Sequence, residues 1–236
     1  METPVHAPFK ERVRIEIKKL REMPFKKKME YIWDYYKISI IVTIVVLLLI
    51  GSFINTRFIN PPPDTALFVV WSAGFATEEQ LDVLSGALKT RIVEEDVNET
   101  VVVTAFFAMD EDPNVDMVYI QRLAAMLAAG EIDIFILRSD LLKDYAAIGY
   151  LQPMERVLNE IRSVDPDAYK RIEEYAVYGN IDTLDGNITE QIIGINVENS
   201  PMIKKTNFYV QEMYVGVSAS TGKMENVVRA LIAMFD

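Results

Sequence analysis

Nineteen consecutive residues without a charged side chain, ISIIVTIVVLLLIGSFINT from Ile38 to Thr56, constrain this chain more than any other feature. At about 1.5 Å of rise per residue, a helix of that length reaches roughly 28 Å, close to the hydrocarbon thickness of a bilayer. The stretch is read as one transmembrane helix. A cleaved signal peptide is the competing reading. Against it, the apolar core is too long, a long basic segment precedes it, and no small-x-small cleavage site follows before Pro61. A buried core helix would carry a polar stripe, and Ser39, Thr43 and Ser52 do not align into one.

Charge sets the expected orientation. Residues 1–37 hold ten Lys or Arg against six acids, whereas the chain as a whole is −11, so everything after the span is strongly acidic. Lys and Arg beside a span stay on the cytoplasmic side. The expectation is a single-pass protein of the cell membrane with a cytoplasmic N-terminus and an extracytoplasmic C-terminal domain. Tyr31, Trp33, Tyr35 and Tyr36 precede the span, where amphipathic rings favour the headgroup layer, and are read as membrane-interface residues. The acidic exterior disfavours nucleic acid, whose phosphates it would repel. With no cysteine anywhere, disulfides, thiolate metal sites and a Cys nucleophile are excluded.

The chain divides into a basic amphipathic segment over 1–24, a juxtamembrane and transmembrane helix over 25–59, a Pro-rich linker over 60–64 and a domain over 65–236. In the first segment Phe9, Val13, Ile17 and Leu20 recur at helical spacing between Lys and Arg. A helix lying on the inner leaflet and a solvated positive flank both fit that pattern. Pro24 opens the second helix, and the prolines of NPPPD (Asn60 to Asp64) end it in a stiff spacer.

Within the domain, ALFVVW (Ala66 to Trp71) is a continuous apolar run ended by Ser72, Ala73 and Gly74, the pattern of a strand buried on both faces. Thr77, with Gln80 three residues on, predicts a capped helix carrying Leu81, Leu84, Leu88 and Ile92 inward. A second strand is expected over Val101–Phe107, a helix over Val115–Ala129 with Val118, Leu123, Met126 and Leu127 apolar, and a third strand over Ile132–Leu137. Alternation of this kind predicts right-handed crossovers and a parallel, three-layer α/β sheet. Ligands of such sheets bind beyond the carboxyl ends of the strands, here Trp71 to Phe75, Ala108 to Asp110 and Arg138 to Asp140.

LAAGEIDIFILRSDLLKDYAAIGYLQPME (Leu127 to Glu155) resembles the lobe-one signature of the extracellular solute-binding proteins of ABC importers. YVGVSASTGKMENVVRALIAMF (Tyr214 to Phe235) is similar to the return segment of the same lobe. The lead-in FKKKMEYIWDYYK plus one span looks like the start of a group of uncharacterised membrane-anchored proteins of Gram-positive bacteria. The resemblance implies an α/β domain like one lobe of a periplasmic-binding-protein fold. Such proteins have two lobes, and the second stands where this chain has only residues 155–190, read as two short helices and the polar turn Asp182 to Asn187. That short helical insert cannot form a lobe.

Chemistry-bearing patterns are sparse. His6 is the only histidine and lies in the N-terminal segment, so no Ser-His or His-metal site is expected in the domain. DEDPNVD (Asp110 to Asp116) resembles the first half of a calcium loop, but Val115 stands where the turn needs Gly and Gln121 where a bidentate Glu should be. No metal, cofactor or catalytic residue is assigned. The candidate ligand or partner face is Trp71, Ser72, Phe75, Arg138 and Ser139.

Three classes of function follow. The first is a non-enzymatic envelope protein whose single lobe serves as an interaction or accessory module for another envelope or membrane protein. The second is a sensor or transport accessory that binds a small solute, with lobes from two chains paired as a homodimer. The third, an enzyme, has the least support in the residues.

Overall fold

The computed structural model describes residues 9–106, 113–182, 188–208 and 212–236. The chain splits into two compact units, Met1–Pro62 and Pro63–Asp236.

In the first unit α1 runs Phe9–Glu22 and α2 runs Phe25–Ile54, continuing into a π-helical turn over Asn55–Ile59. Pro24 separates the helices because its extended backbone (ψ 149°) and missing N–H cannot carry one into the other. Phe25–Ile59 is 35 residues long, its most apolar window has mean hydropathy 2.6, and none of that window is buried. By length and composition this helix can cross a membrane. The Thr43 hydroxyl donates to the Ser39 carbonyl at 2.8 Å, so its polar hydrogen is satisfied within the helix, as an apolar surrounding requires. Trp33 and Tyr35 are exposed on α2, and the Tyr31 and Tyr35 rings sit 4.6 Å apart, one turn from each other. Tyr36, the fourth aromatic residue of this segment, is also exposed.

The second unit is built on one six-stranded sheet of order β2-β1-β3-β6-β5-β4. Its strands are β1 (Asp64–Ser72), β2 (Glu99–Ala105), β3 (Ile134–Leu137), β4 (Ala176–Asp182), β5 (Ile188–Asn196) and β6 (Tyr214–Val217). Its helices are α3 (Glu78–Ile92), α4 (Pro113–Ala128), α5 (Ser139–Ala147), α6 (Met154–Val164), α7 (Pro166–Glu173), α8 (Pro201–Lys205) and α9 (Met224–Phe235). The apolar run of β1 divides by period two. Leu67, Val69 and Trp71 enter a core shared with α3, α6, α7 and α9, while Val70 enters a second core with Phe135, Leu137 and side chains of α4 and α5. One sheet between two helix layers follows. Thr77 accepts from the Gln80 N–H, Gln80 returns the bond, and Leu81, Leu84, Leu88 and Ile92 are all buried, as their spacing predicts.

Two glycines set how closely α5 approaches the sheet. A Cβ on Gly194 would stand 2.8 Å from the Val215 carbonyl oxygen and 2.9 Å from Leu142 Cδ1, and one on Gly216 would stand 2.7 Å from Leu151 Cδ1. Only residues without a side chain let Leu142 and Leu151 lie against β5 and β6.

The sheet departs from the parallel expectation. β2, β1 and β3 are parallel, but β6, β5 and β4 are added antiparallel. The chain beyond α7 returns as a β4–β5 hairpin and then as the short strand β6, and antiparallel strands need only short connections. β4 was missed in the interval read as helical insert and turn. AVYGNID carries Gly and Asn and lies at the sheet edge, so burial imposes no apolar pattern on it. The third strand is also shorter than expected, and Ile132 packs with Phe135 and Leu137 rather than with Ile134 and Ile136. It lies outside the regular strand, where alternation no longer assigns faces. Of the apolar residues named on α4, Val118 is 64% exposed. Ala108 to Asp110, Phe107 and most of the turn after β4 lie outside the described residues.

Candidate functional site

The carboxyl end of β1 is where the sequence places a ligand face, and the structure separates its members. Trp71 is fully buried: its indole N–H donates to the Gly74 carbonyl at 2.6 Å and its ring stacks on Phe208 at 4.0 Å between centroids. Ser72 is buried as well and donates its hydroxyl to the Phe106 carbonyl at 2.8 Å. Neither presents a surface. Their place on the candidate face is therefore corrected, because each polar handle is consumed in closing the ends of β1 and β2.

Phe75, three residues past the strand, is 68% exposed. It borders a cleft of about 570 Å³ lined also by Thr77, Gln80, Val83, Lys205 and Asn207. Gln80 fixes the cleft floor. Its side-chain oxygen accepts from the Thr77 N–H at 3.0 Å, and its amide donates to the Asn207 carbonyl at 2.8 Å, tying the start of α3 to the turn after α8. Asn207 holds φ 52°, a left-handed conformation that asparagine adopts more readily than most residues. Glu79 on one wall and Lys205 on the other give the rim both signs of charge.

Arg138 and Ser139 do not line this cleft. Arg138 forms an exposed ion pair with Asp140 at 2.9 Å, and Asp140, an acid in the first turn of α5, also accepts from the Leu141 N–H. Ser139 is half-buried in the first turn of that helix. Of the five expected face residues, only Phe75 reaches the cleft. Val83, Lys205 and Asn207 were missed. Val83 is a non-core position of α3, and the Lys-Thr-Asn turn follows a helix of only five residues, so no spacing announces either.

A second polar cluster lies at the amino end of β3. Asp133 is wholly buried and accepts from the Phe68 N–H at 2.9 Å, from the Thr221 hydroxyl, and from Lys223 Nζ at 3.5 Å. Lys223 also donates to the Thr65 carbonyl at 2.8 Å, and Asn226 donates to the Ala66 carbonyl at 2.8 Å. A carboxylate in that position needs partners. Here one backbone N–H is joined by a hydroxyl and an ammonium from the β6–α9 loop. The cluster directs these donors to Asp133 and to carbonyls of β1, so it fastens α9 to β1.

Among the described residues, no group of three or more His, Cys, Asp or Glu side chains is arranged to hold a metal ion. Asp110, Glu111 and Asp112 of the calcium-like segment lie outside those residues. Near Phe135 the rings of Tyr145 and Tyr150 pack edge to face, 5.6 Å apart. Burial, aided by the negative charge of Asp144, pushes the Tyr145 hydroxyl above its ordinary range, which suits a core ring better than a proton carrier. Comparison with family models, with curated proteins and with solved structures gives no match.

Proposed function

We propose that this protein is a non-enzymatic, membrane-anchored module whose extracytoplasmic domain, a single solute-binding-like lobe, docks another envelope or membrane protein. The observation that carries the reading is the cleft beyond β1. Its mouth offers Phe75 and Val83, 68% and 49% exposed, beside Glu79 and Lys205. A small solute held tightly has most of its surface buried, whereas, among the described residues, this cleft is walled by Phe75 and the start of α3 on one side and by Lys205 to Asn207 on the other. An exposed aromatic ring with an aliphatic neighbour and a charged rim is instead the composition of a protein contact. The α2 helix supplies the anchor, and the basic flank before it favours a cytoplasmic N-terminus.

A photo-crosslinking residue in place of Phe75, in the full chain in its native membrane, tests this. The expected result is one discrete adduct with a different protein, lost when Val83→Glu puts a charge into the contact. Absence of any adduct, together with a small solute that raises the melting temperature of the full chain, would replace the docking reading by the sensor. A ligand stabilises the folded state by mass action.

A further inference from the structure

Among the described side chains of α4, those from Val118 onward, the outward side breaks the rule that a surface helix turns a charged face to water. Leu123, Met126 and Leu127 point into the second core, and the Tyr119 ring meets Phe106 edge to face at 6.2 Å. The remaining arc, roughly 160° at about 100° per residue, holds Ile120, Ala124, Ala128, Gln121, Ala125 and Val118 in that order. All are exposed, Val118 by 64% and Ile120 by 63%, and none is charged. Arg122 sits at the edge of the arc, and its guanidinium lies over the Phe106 ring at 5.1 Å.

Residues 64–236 carry 13 Lys and Arg against 29 Asp and Glu, a net of −16. Two copies of so acidic a domain repel each other wherever their charged surfaces meet. The α4 arc is a surface they can share without that cost. An anionic lipid surface is disfavoured by the same net charge.

We propose that two copies of this chain associate through the outward faces of α4, packed antiparallel about a two-fold axis near Ala124. Three features support a second copy as the occupant. The face is uncharged and so complements itself, as an isologous interface must. The alanines let two helix axes approach to the short end of the usual 8–10 Å. Antiparallel helices set opposite dipole ends side by side. A one-helix contact is small by the standard of stable dimers, but confinement of both copies to one bilayer raises their effective concentration. The inference rests on the membrane span and not on the Phe75 cleft, which belongs to the other helix layer.

The native chain has no cysteine, so single-cysteine variants of the full protein report without background. In membranes treated with a short bismaleimide, Ala124→Cys is expected to give a covalent dimer of twice the 26.9 kDa chain mass. Ile120→Cys should join Ala128→Cys when the two variants are co-expressed, because the antiparallel axis brings those positions together. Val164→Cys, 67% exposed on α6, serves as the control that does not cross-link. Ile120→Glu should lower the dimer by about tenfold, because it buries an unpaired carboxylate against the apolar face of the other copy. It should leave the fold of the domain intact, read as an unchanged circular-dichroism spectrum, since within one copy that side chain faces water. No dimer at any α4 position, equal cross-linking of the Val164→Cys control, or an adduct to a chain of another mass would each overturn the proposal. Loss of the Phe75 adduct with α4 cross-linking intact would remove the docking function alone.

Discussion

Asp133→Ala is expected to destabilise the domain by about 3–5 kcal/mol, the cost of leaving several donors of a buried cluster without their shared acceptor. The substitution strands three donors together: the Phe68 N–H, the Thr221 hydroxyl and one contact of Lys223. For a domain of this size the loss corresponds to a fall of about 10 °C in melting temperature. Two further variants separate charge from hydrogen bonding. Asp133→Asn keeps an acceptor for the Phe68 N–H and should cost about 1–3 kcal/mol. Lys223→Met leaves the carboxylate its two other donors, and its effect should fall below that of Asp133→Ala, because the lysine is itself 35% exposed. Thermal unfolding of the three variants checks the order. Equal, small losses for all of them would show that the cluster does not hold α9 to β1.

Phe135→Ala is expected to cost a similar 3–5 kcal/mol by a different mechanism, the cavity left in a core that cannot fully collapse. The ring has no solvent exposure and stands edge to face with Tyr145 at 5.5 Å. Leu142, held against Gly194 and Gly216, is in the same core and has little room to move into the space. Phe135→Leu, which keeps most of the volume, should lose well under half as much. Chemical denaturation gives both numbers, and a loss below about 1 kcal/mol for the alanine variant would place this ring outside the core.

How legible these elements were in the residues depends on what burial demands of each. The long apolar helix could be read because nineteen uncharged residues leave few alternatives. β1 was legible because both its faces are buried and every position from Ala66 to Trp71 had to be apolar. α3 was legible because its cap and core spacing agree. β4 was not, since an edge strand exposing Tyr178 carries no pattern that separates it from a turn. The mixed sheet order was hidden for a related reason: strand direction is set by connections made after the local pattern is spent.

At the site, Trp71 misled because a large ring at a strand end reads alike whether it faces a ligand or a neighbouring ring. Phe208, the neighbour that decides the matter, lies far away in sequence. The cleft itself comes from the meeting of α3 with the turn after α8, a tertiary event without a local signature. Asp133 could be flagged from sequence as a charge in an apolar strand, but not its partners, which come from a loop about ninety residues away.

The proposed arrangement is an acidic interaction domain held outside the cell membrane by one span. Single-cysteine labelling of intact cells expressing the full chain tests it most directly. An impermeant maleimide should label Val164→Cys on intact cells and Ile17→Cys only after lysis, both side chains being exposed, at 67% and 60%. Labelling of Ile17→Cys on intact cells, with Val164→Cys protected until lysis, would place the domain on the cytoplasmic side and contradict the account.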